Sequence, residues 1–278
     1  GQELVAYSKS YEKPELYFWE REKTGAQAEV DYVMQLNGQI FPIEVKSGTT
    51  GRLKSMRIFM EEKKLPIGIQ SLAKIIQGGY YYADKTALVL QLVHEGSYFF
   101  LSRPRRFGKS LLLDTVKELF EANQPLFTGL ATYEQWDWSQ RHPVLLLNFG
   151  NASLRDPPDL TRLLHQQLEN HERQFDLPAR YPDIRSRFGD LILRLHQSTG
   201  QKVVILVDEY DKPILDRIDD SAMARAMREE LKDLYSVIKG MDAHIRFAML
   251  TGVSKFSKVS LFSGLNNLKD ITLSPRYS

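Results

Sequence analysis

Cysteine is absent from all 278 residues. Disulfides, zinc thiolates and cysteine nucleophiles are therefore excluded, and the composition fits a reducing, cytoplasmic setting. Net charge is nearly absent as well: 37 Lys and Arg against 35 Asp and Glu leave +2. Any affinity for nucleic acid must then come from local patches, not from an overall field. No apolar run approaches the roughly 18 residues of a membrane span, and no signal-peptide pattern is seen. Neither membrane partners nor secretion are expected. Repeats and low-complexity segments are missing too. What remains is ordinary: 42% hydrophobic and 26% charged residues, enough core for one large or two modest domains.

The first part of the chain is β-rich. "LYFWERE" (16–22) and "AEVDYVMQL" (28–36) are aromatic and β-branched. Asn37-Gly38 is a strong two-residue hairpin signal, and "QIFPIEVKSG" (39–48) reads as the returning strand. A mixed-charge helix is expected over 52–64. The character changes near Lys64, and from there strands alternate with helices. Expected strands are 96–104, 142–150, 201–213 and 244–254; expected helices are 110–122, 159–175, 183–200 and 221–242. Apolar strands alternating with amphipathic helices imply a parallel sheet covered on both faces. The tail, 255–278, supplies no clear final strand, which reads as a domain cut short.

"LSRPRRFGKS" (101–110) ends as a phosphate-binding loop does. A full Walker A motif needs a glycine where Arg103 stands. The context compensates: an aromatic strand precedes the loop and an apolar-striped helix follows. Backbone N–H groups at such a helix start point at an anion, and the helix dipole adds to the field. Gly108 would let the backbone approach a phosphate, Lys109 would reach the β- and γ-phosphates, and Ser110 would ligate Mg²⁺. Phe107 and Leu111 flank this cradle. Downstream, "VVILVDEYD" (203–211) is an apolar strand ending in two acids. That is a Walker B pattern, in which Asp208 holds the Mg²⁺ shell and Glu209 polarises the attacking water. "FAMLTG" (247–252) brings Thr251 to the end of the next strand, where a hydroxyl could sense the γ-phosphate or simply close a strand. Arg105 and Arg106 contact phosphate or a partner subunit, or else form a solvated basic turn. "YYYADKT" (80–86) reads as core aromatics with a turn at Asp84, or as a wall of an adenine site.

These segments, together with "LPIGIQSLAKIIQGGYYYADKTALV" and "MLTGVSKFSKVSLFSGLNNLKDIT", closely resemble the bacterial AAA-ATPase-like family of P-loop proteins over about residues 64–278. In that family the loop reads S-R-P-R-R-F-G-K-S, so Arg103 in place of glycine is the family's own pattern. The resemblance implies a three-layer αβα P-loop NTPase of the additional-strand catalytic-glutamate division. It also implies ATP and Mg²⁺ as ligands, and a function in DNA-associated, mobile-element or defence processes. Many members carry a PD-(D/E)XK nuclease-like domain after the ATPase.

The N-terminal segment holds Asp31 and then Glu44-Val45-Lys46. Paired strands would bring Asp31 beside Glu44, with Lys46 two residues on and on the same face. Two carboxylates and a lysine can hold a divalent cation and orient a hydrolytic water. The pattern resembles a PD-(D/E)XK nuclease core, and more narrowly the C-terminal end of another bacterial family of AAA+-type ATP-binding proteins, over about residues 11–63. A β-hairpin plus helix, residues 1–63, thus precedes an ATPase domain, residues 64–278. Too few residues precede "LYFWERE" to supply the core's upstream helix, so weak cleavage or none is expected. Three functions follow: an Mg²⁺-dependent ATPase driving a conformational change, a nucleotide switch with little turnover, and a DNA nuclease centred on Asp31, Glu44 and Lys46. The client would be DNA or protein, and a homo-oligomer is compatible with each.

Overall fold

The computed structural model describes residues 16–20, 29–36, 39–43, 71–80, 82–105, 107–150, 152–254 and 268–272. Its chain divides into two compact units, residues 1–69 and 70–278.

In the first unit, three strands form an antiparallel sheet in the order β1 (Leu16–Glu20), β2 (Glu29–Leu36), β3 (Gln39–Ile43). Leu36 pairs with Gln39, as the two-residue Asn-Gly connection demands, and the pairing runs back to Tyr32 opposite Ile43. Between Tyr17 and Trp19 the register of β1 against β2 shifts, the signature of a bulge. Asp31 lies on β2. Glu44, Lys46 and the helix expected over 52–64 fall outside the described residues.

The second unit opens with helices α1 (Leu72–Gln77) and α2 (Thr86–Glu95), then β4 (Tyr98–Ser102) and α3 (Lys109–Phe120). There follow β5 (Val144–Asn148), α4 (Pro157–Gln174), α5 (Ile184–Thr199) and β6 (Val203–Asp208). The chain continues through α6 (Lys212–Leu215), α7 (Ser221–Gly240), β7 (Ile245–Gly252) and β8 (Lys269–Asp270). The sheet runs β5-β6-β7-β4-β8, and every adjacent pair is parallel. β7 thus intervenes between β4, which feeds the glycine loop, and β6, which ends in the acids. This is the inserted strand that the resemblance implies. β8 differs from expectation: the tail does supply a fifth strand, Phe99 pairing with Lys269 and Phe100 with Asp270. Two residues are too few to leave a periodic pattern.

Alternation along the strands sorts the core onto two faces. Val203, Ile205 and Val207 pack with Leu160, Leu164 and Leu168 of α4, Phe188, Leu191 and Ile192 of α5, and Met227, Leu231 and Leu234 of α7. Val204 and Leu206 pack instead with Leu72 of α1, Val89 and Leu92 of α2, and Leu113, Val116 and Leu119 of α3. The result is helix–sheet–helix layering, with every strand of the sheet ending at the same edge. In "YYYADKT", Tyr82 joins the second core cluster and its hydroxyl meets Thr115 Oγ1 at 3.2 Å. Asp84 accepts Thr86 N–H at 2.8 Å and Ala131 N–H at 2.8 Å, fixing the turn into α2.

Candidate functional site

Parallel strands collect their C-terminal residues at one edge, and open α/β sheets use that edge for ligands. Here the edge carries Asn148 opposite Asp208, Leu101 opposite Thr251, and Ser102 opposite Gly252. The loop from β4 to α3 passes over it, tied at its start by the Arg103 N–H to the Gly252 carbonyl, 3.1 Å.

Gly108 makes the turn from that loop into α3. Its φ of +73° lies in the left-handed region, where a side chain is strained. The start of α3 differs from those of α1, α4, α5 and α7. Ser71, Asp156, Asp183 and Asp220 each cap a helix by accepting an N–H from its first turn. Gly108 has no side chain to do so, and no acidic residue lies in the first turn of α3. The first-turn amides, Leu111 among them, are left uncapped and ready to receive an anion.

Lys109 follows directly and is only 6% exposed. Its ammonium donates to the carbonyls of Arg103 at 2.9 Å and Pro104 at 3.0 Å, so the loop is folded around its own lysine. Burial pulls this ammonium below the usual lysine range, while the charges of Asp208, Glu209 and Asp211 oppose the shift and Arg105 reinforces it. Loop and acids therefore share one electrostatic environment, although 99 positions separate Lys109 from Asp208. Asp208 is buried, and its Oδ1 accepts the Thr251 hydroxyl at 2.6 Å. Among the described residues its Oδ2 has no hydrogen-bond partner. Glu209 takes the left-handed conformation, φ +53°, which is uncommon for a residue with a side chain. Burial pushes its carboxyl above the usual range and the Asp208 charge adds to this, against Arg105, Lys109 and Lys212. Ser110 sits half-buried in the first turn of α3, Phe107 is 68% exposed, and Arg106 falls outside the described residues.

The family model for predicted AAA-ATPases matches residues 66–262. The chain belongs to this predicted AAA-ATPase family. A second model, a domain of unknown function (DUF4143), matches residues 1–89, overlapping the first over residues 66–89. Over 220 residues the chain is 57% identical to a protein of Azotobacter chroococcum mcd 1 described as "Uncharacterized protein in vnfD 5'region". The match covers 79% of this chain and 43% of that relative, so the chain spans less than half of the relative's length. No solved structure matches. Membership carries ATP binding and a P-loop fold as general properties of the family.

Several residues of this AAA-ATPase-like chain that sequence reasoning passed over complete the edge. Asp211 is fully buried, and its Oδ2 accepts Val253 N–H at 2.9 Å, Ser254 N–H at 2.6 Å and the Ser254 hydroxyl at 2.6 Å. Tyr210 donates to the Ser254 carbonyl at 3.0 Å and lies against Gly252. A methyl group at Gly252 would come within 2.4 Å of the Tyr210 ring and 2.7 Å of Asp211 Oδ1. The D-E-Y-D turn thus clasps the end of β7. Asn148 is the fourth such residue. Its Oδ1 accepts Gly150 N–H at 2.7 Å, and the Glu209 carboxylate lies close by, within 3.2 Å of where a Gly150 side chain would begin. The available signal was positional: a polar residue ending an apolar strand beside the acid-bearing one. Among the described residues no helix is long and apolar enough to cross a membrane.

Proposed function

We propose that the chain is an Mg²⁺-dependent ATPase in which Lys109 and Ser110 hold the nucleotide's phosphates and metal, Asp208 anchors the metal, and Glu209 orients the attacking water. The observation that carries this reading is the convergence of the uncapped start of α3, its buried Lys109 and the Asp208–Glu209 pair on one edge of the sheet. Gly108, Lys109, Ser110 and Leu111 supply the amide cradle for phosphate, and Arg105 precedes them in the same loop.

The residues present suit magnesium. Mg²⁺ in a phosphate site takes one or two protein ligands and fills the rest of its octahedron with phosphate oxygens and water. No group of three or more His, Asp or Glu side chains is arranged to cage a metal among the described residues. Asp208 offers one oxygen oriented by Thr251 and a second without a partner, while the Ser110 hydroxyl has none among the described residues. Bound Mg²⁺ would neutralise phosphate charge. Thr251, bonded to Asp208, acts here by fixing that carboxylate's direction.

ATP must draw Lys109 away from the Arg103 and Pro104 carbonyls, exchanging two neutral acceptors for charged ones. Lys109→Ala is expected to weaken ATP affinity by at least about a hundredfold, since a buried charge-assisted contact is lost. Isothermal calorimetry of the two proteins tests this, and equal affinities would sink the assignment. Single-turnover hydrolysis distinguishes an ATPase from a switch that only binds. The client, DNA or protein, is the partner of the conformational change that hydrolysis drives.

A further inference from the structure

We propose that a cavity where the strands of the parallel sheet begin, at the edge opposite the phosphate loop, is a second ligand site, built for a small aromatic carboxylate. The site is separate from the nucleotide edge and stands whether or not that edge binds ATP.

Phe120, Trp136, Asp137, Gln140, His142 and Arg246 are among the residues that line this cavity, which has a volume of about 220 Å³. That is smaller than a site for a drug-sized molecule and suits a single ring. His142 stands two residues before β5, and Arg246 is the second residue of β7. Phe120 closes α3, whose first residue is Lys109. The cavity therefore lies at the far ends of β7 and α3 from Thr251 and Lys109. One wall is aromatic. The Phe120 ring meets Trp136 edge to face at 5.2 Å and 84°, and His142 in the same way at 5.5 Å and 87°.

Three polar groups on this lining lack partners. The indole Nε1–H of Trp136 is buried without an acceptor, a cost that an acceptor in the cavity would remove. Arg246 is half-buried, and among the described residues its guanidinium has no hydrogen bond or ion pair. His142 is 7% exposed, and its Nδ1 donates to the Lys202 carbonyl at 2.8 Å. That bond puts the proton on Nδ1 and leaves Nε2 as an acceptor, with no partner among the described residues. Burial holds the imidazole below the usual histidine range, and the Arg246 charge adds to this against the Lys202 bond, so the ring is neutral at pH 7. Asp137, the one carboxylate on the lining, is already occupied. It accepts Ser139 N–H at 3.1 Å, the Ser139 hydroxyl at 2.6 Å and the Gln140 side chain at 2.8 Å.

The lining thus offers a cation and a second donor, one acceptor, and an aromatic wall. A water could satisfy the indole but would leave the guanidinium without a counter-charge. A carboxylate matches the planar fork of Arg246 and can also accept from an indole N–H. A flat ring would lie against the aromatic wall, and a hydroxyl on that ring would donate to His142 Nε2.

The test uses the full chain labelled with ¹⁵N and 4-hydroxybenzoate as the probe. The readout is the indole N–H signal of Trp136, one of three tryptophans, identified by its loss in Trp136→Phe. The signal is expected to shift saturably with a Kd of about 1 mM or tighter, which is within reach of roughly ten heavy atoms. Arg246→Gln should weaken binding at least about tenfold, and the uncharged 4-hydroxybenzamide should bind wild type at least about tenfold more weakly than the acid. Lys109→Ala should bind the probe as wild type does. A Trp136 signal unmoved at about 10 mM probe would overturn the proposal and leave the cavity to water. Equal affinity for acid and amide would overturn it too, and that comparison needs no variant at Arg246. Unchanged affinity in a folded Arg246→Gln would count in the same direction. Probe binding lost in Lys109→Ala would place the probe at the nucleotide edge and overturn the second site, while leaving the nucleotide reading intact.

Discussion

Glu209 combines a left-handed backbone, partial burial and a like charge next door, and each is a cost that a purely structural residue would not need. Its carboxyl is held above the usual glutamate range, so the folded protein keeps the proton more tightly than the unfolded chain does. The stability linked to that proton is full below the unfolded pKa and is lost as pH rises through the folded one. At neutral pH the ionised Glu209 therefore works against folding. Glu209→Gln is expected to raise the melting temperature at pH 7, with the gap closing below about pH 4, where both forms are neutral. Scanning calorimetry at several pH values checks this; a gap that persists in acid would mean the effect is not charge. The same variant should bind ATP as wild type does and hydrolyse it about 10²–10⁴-fold more slowly. At this scale the candidate residues were legible in the sequence. An apolar run ended by two carboxylates announces Asp208 and Glu209, and Gly-Lys-Ser announces the loop. The partner of Thr251 was not legible, because its bond to Asp208 spans 43 positions and depends on the order of the strands. Thr251→Val keeps the shape and removes the hydroxyl, so it is expected to raise the Mg²⁺ concentration that half-saturates hydrolysis. An unchanged Mg²⁺ requirement would count against the orienting role.

At the level of elements, the turn after β6 and the end of β7 behave as one part. Asp211 gathers two backbone N–H groups and a hydroxyl, and Tyr210 fills the space that Gly252 leaves open. Removing the acceptor strands buried donors at about 1–3 kcal/mol each. Asp211→Ala is therefore expected to cost roughly 3–5 kcal/mol in urea denaturation, while Asp211→Asn, which keeps one acceptor, costs less. Gly252→Ala should cost about 1–3 kcal/mol through the collision with the Tyr210 ring. The two losses should fall short of additive in Asp211→Ala/Gly252→Ala, because both act on one clasp. Strict additivity would show two independent features. None of this is written locally. The pattern D-E-Y-D reads as acids at a strand end, and T-G-V-S as a turn; only the pairing of β6 with β7 joins them. Helices α3, α4, α5 and α7 and the longer strands were legible because their periodicity is local, whereas α1 and α2 were not among the expected helices. β8 was not: with two residues it has no period, and it exists because β4 offers an open edge.

The whole molecule joins a small antiparallel sheet to a parallel one, and its charge bears on what the two units can act upon. The first 64 residues carry ten Lys and Arg against ten Asp and Glu, so the excess of +2 falls entirely on the remainder. Proteins that hold duplex DNA by its backbone neutralise several phosphates, and their affinity drops steeply with salt as counterions return. A balanced chain gives little of that field. The pairing of carboxylates and lysine foreseen in the N-terminal unit would also need a tightly ordered shell, since Mg²⁺ demands near-octahedral geometry and gives up water reluctantly. The full chain is therefore expected to leave a labelled DNA duplex unbound at micromolar protein and about 150 mM salt, a concentration at which long-range charge is screened beyond roughly 8 Å. Plasmid DNA with Mg²⁺ or Mn²⁺ should stay un-nicked, and added DNA should not speed ATP hydrolysis. Anisotropy, a plasmid gel and a phosphate-release assay read these out. A dissociation constant below about 10 µM with a steep salt dependence would instead identify a DNA client. Nicking lost in Glu44→Ala and Lys46→Ala but kept in Lys109→Ala would assign nuclease chemistry to the first unit. If DNA is neither bound nor cut while ATP is hydrolysed, a DNA client of the proposed cycle is ruled out.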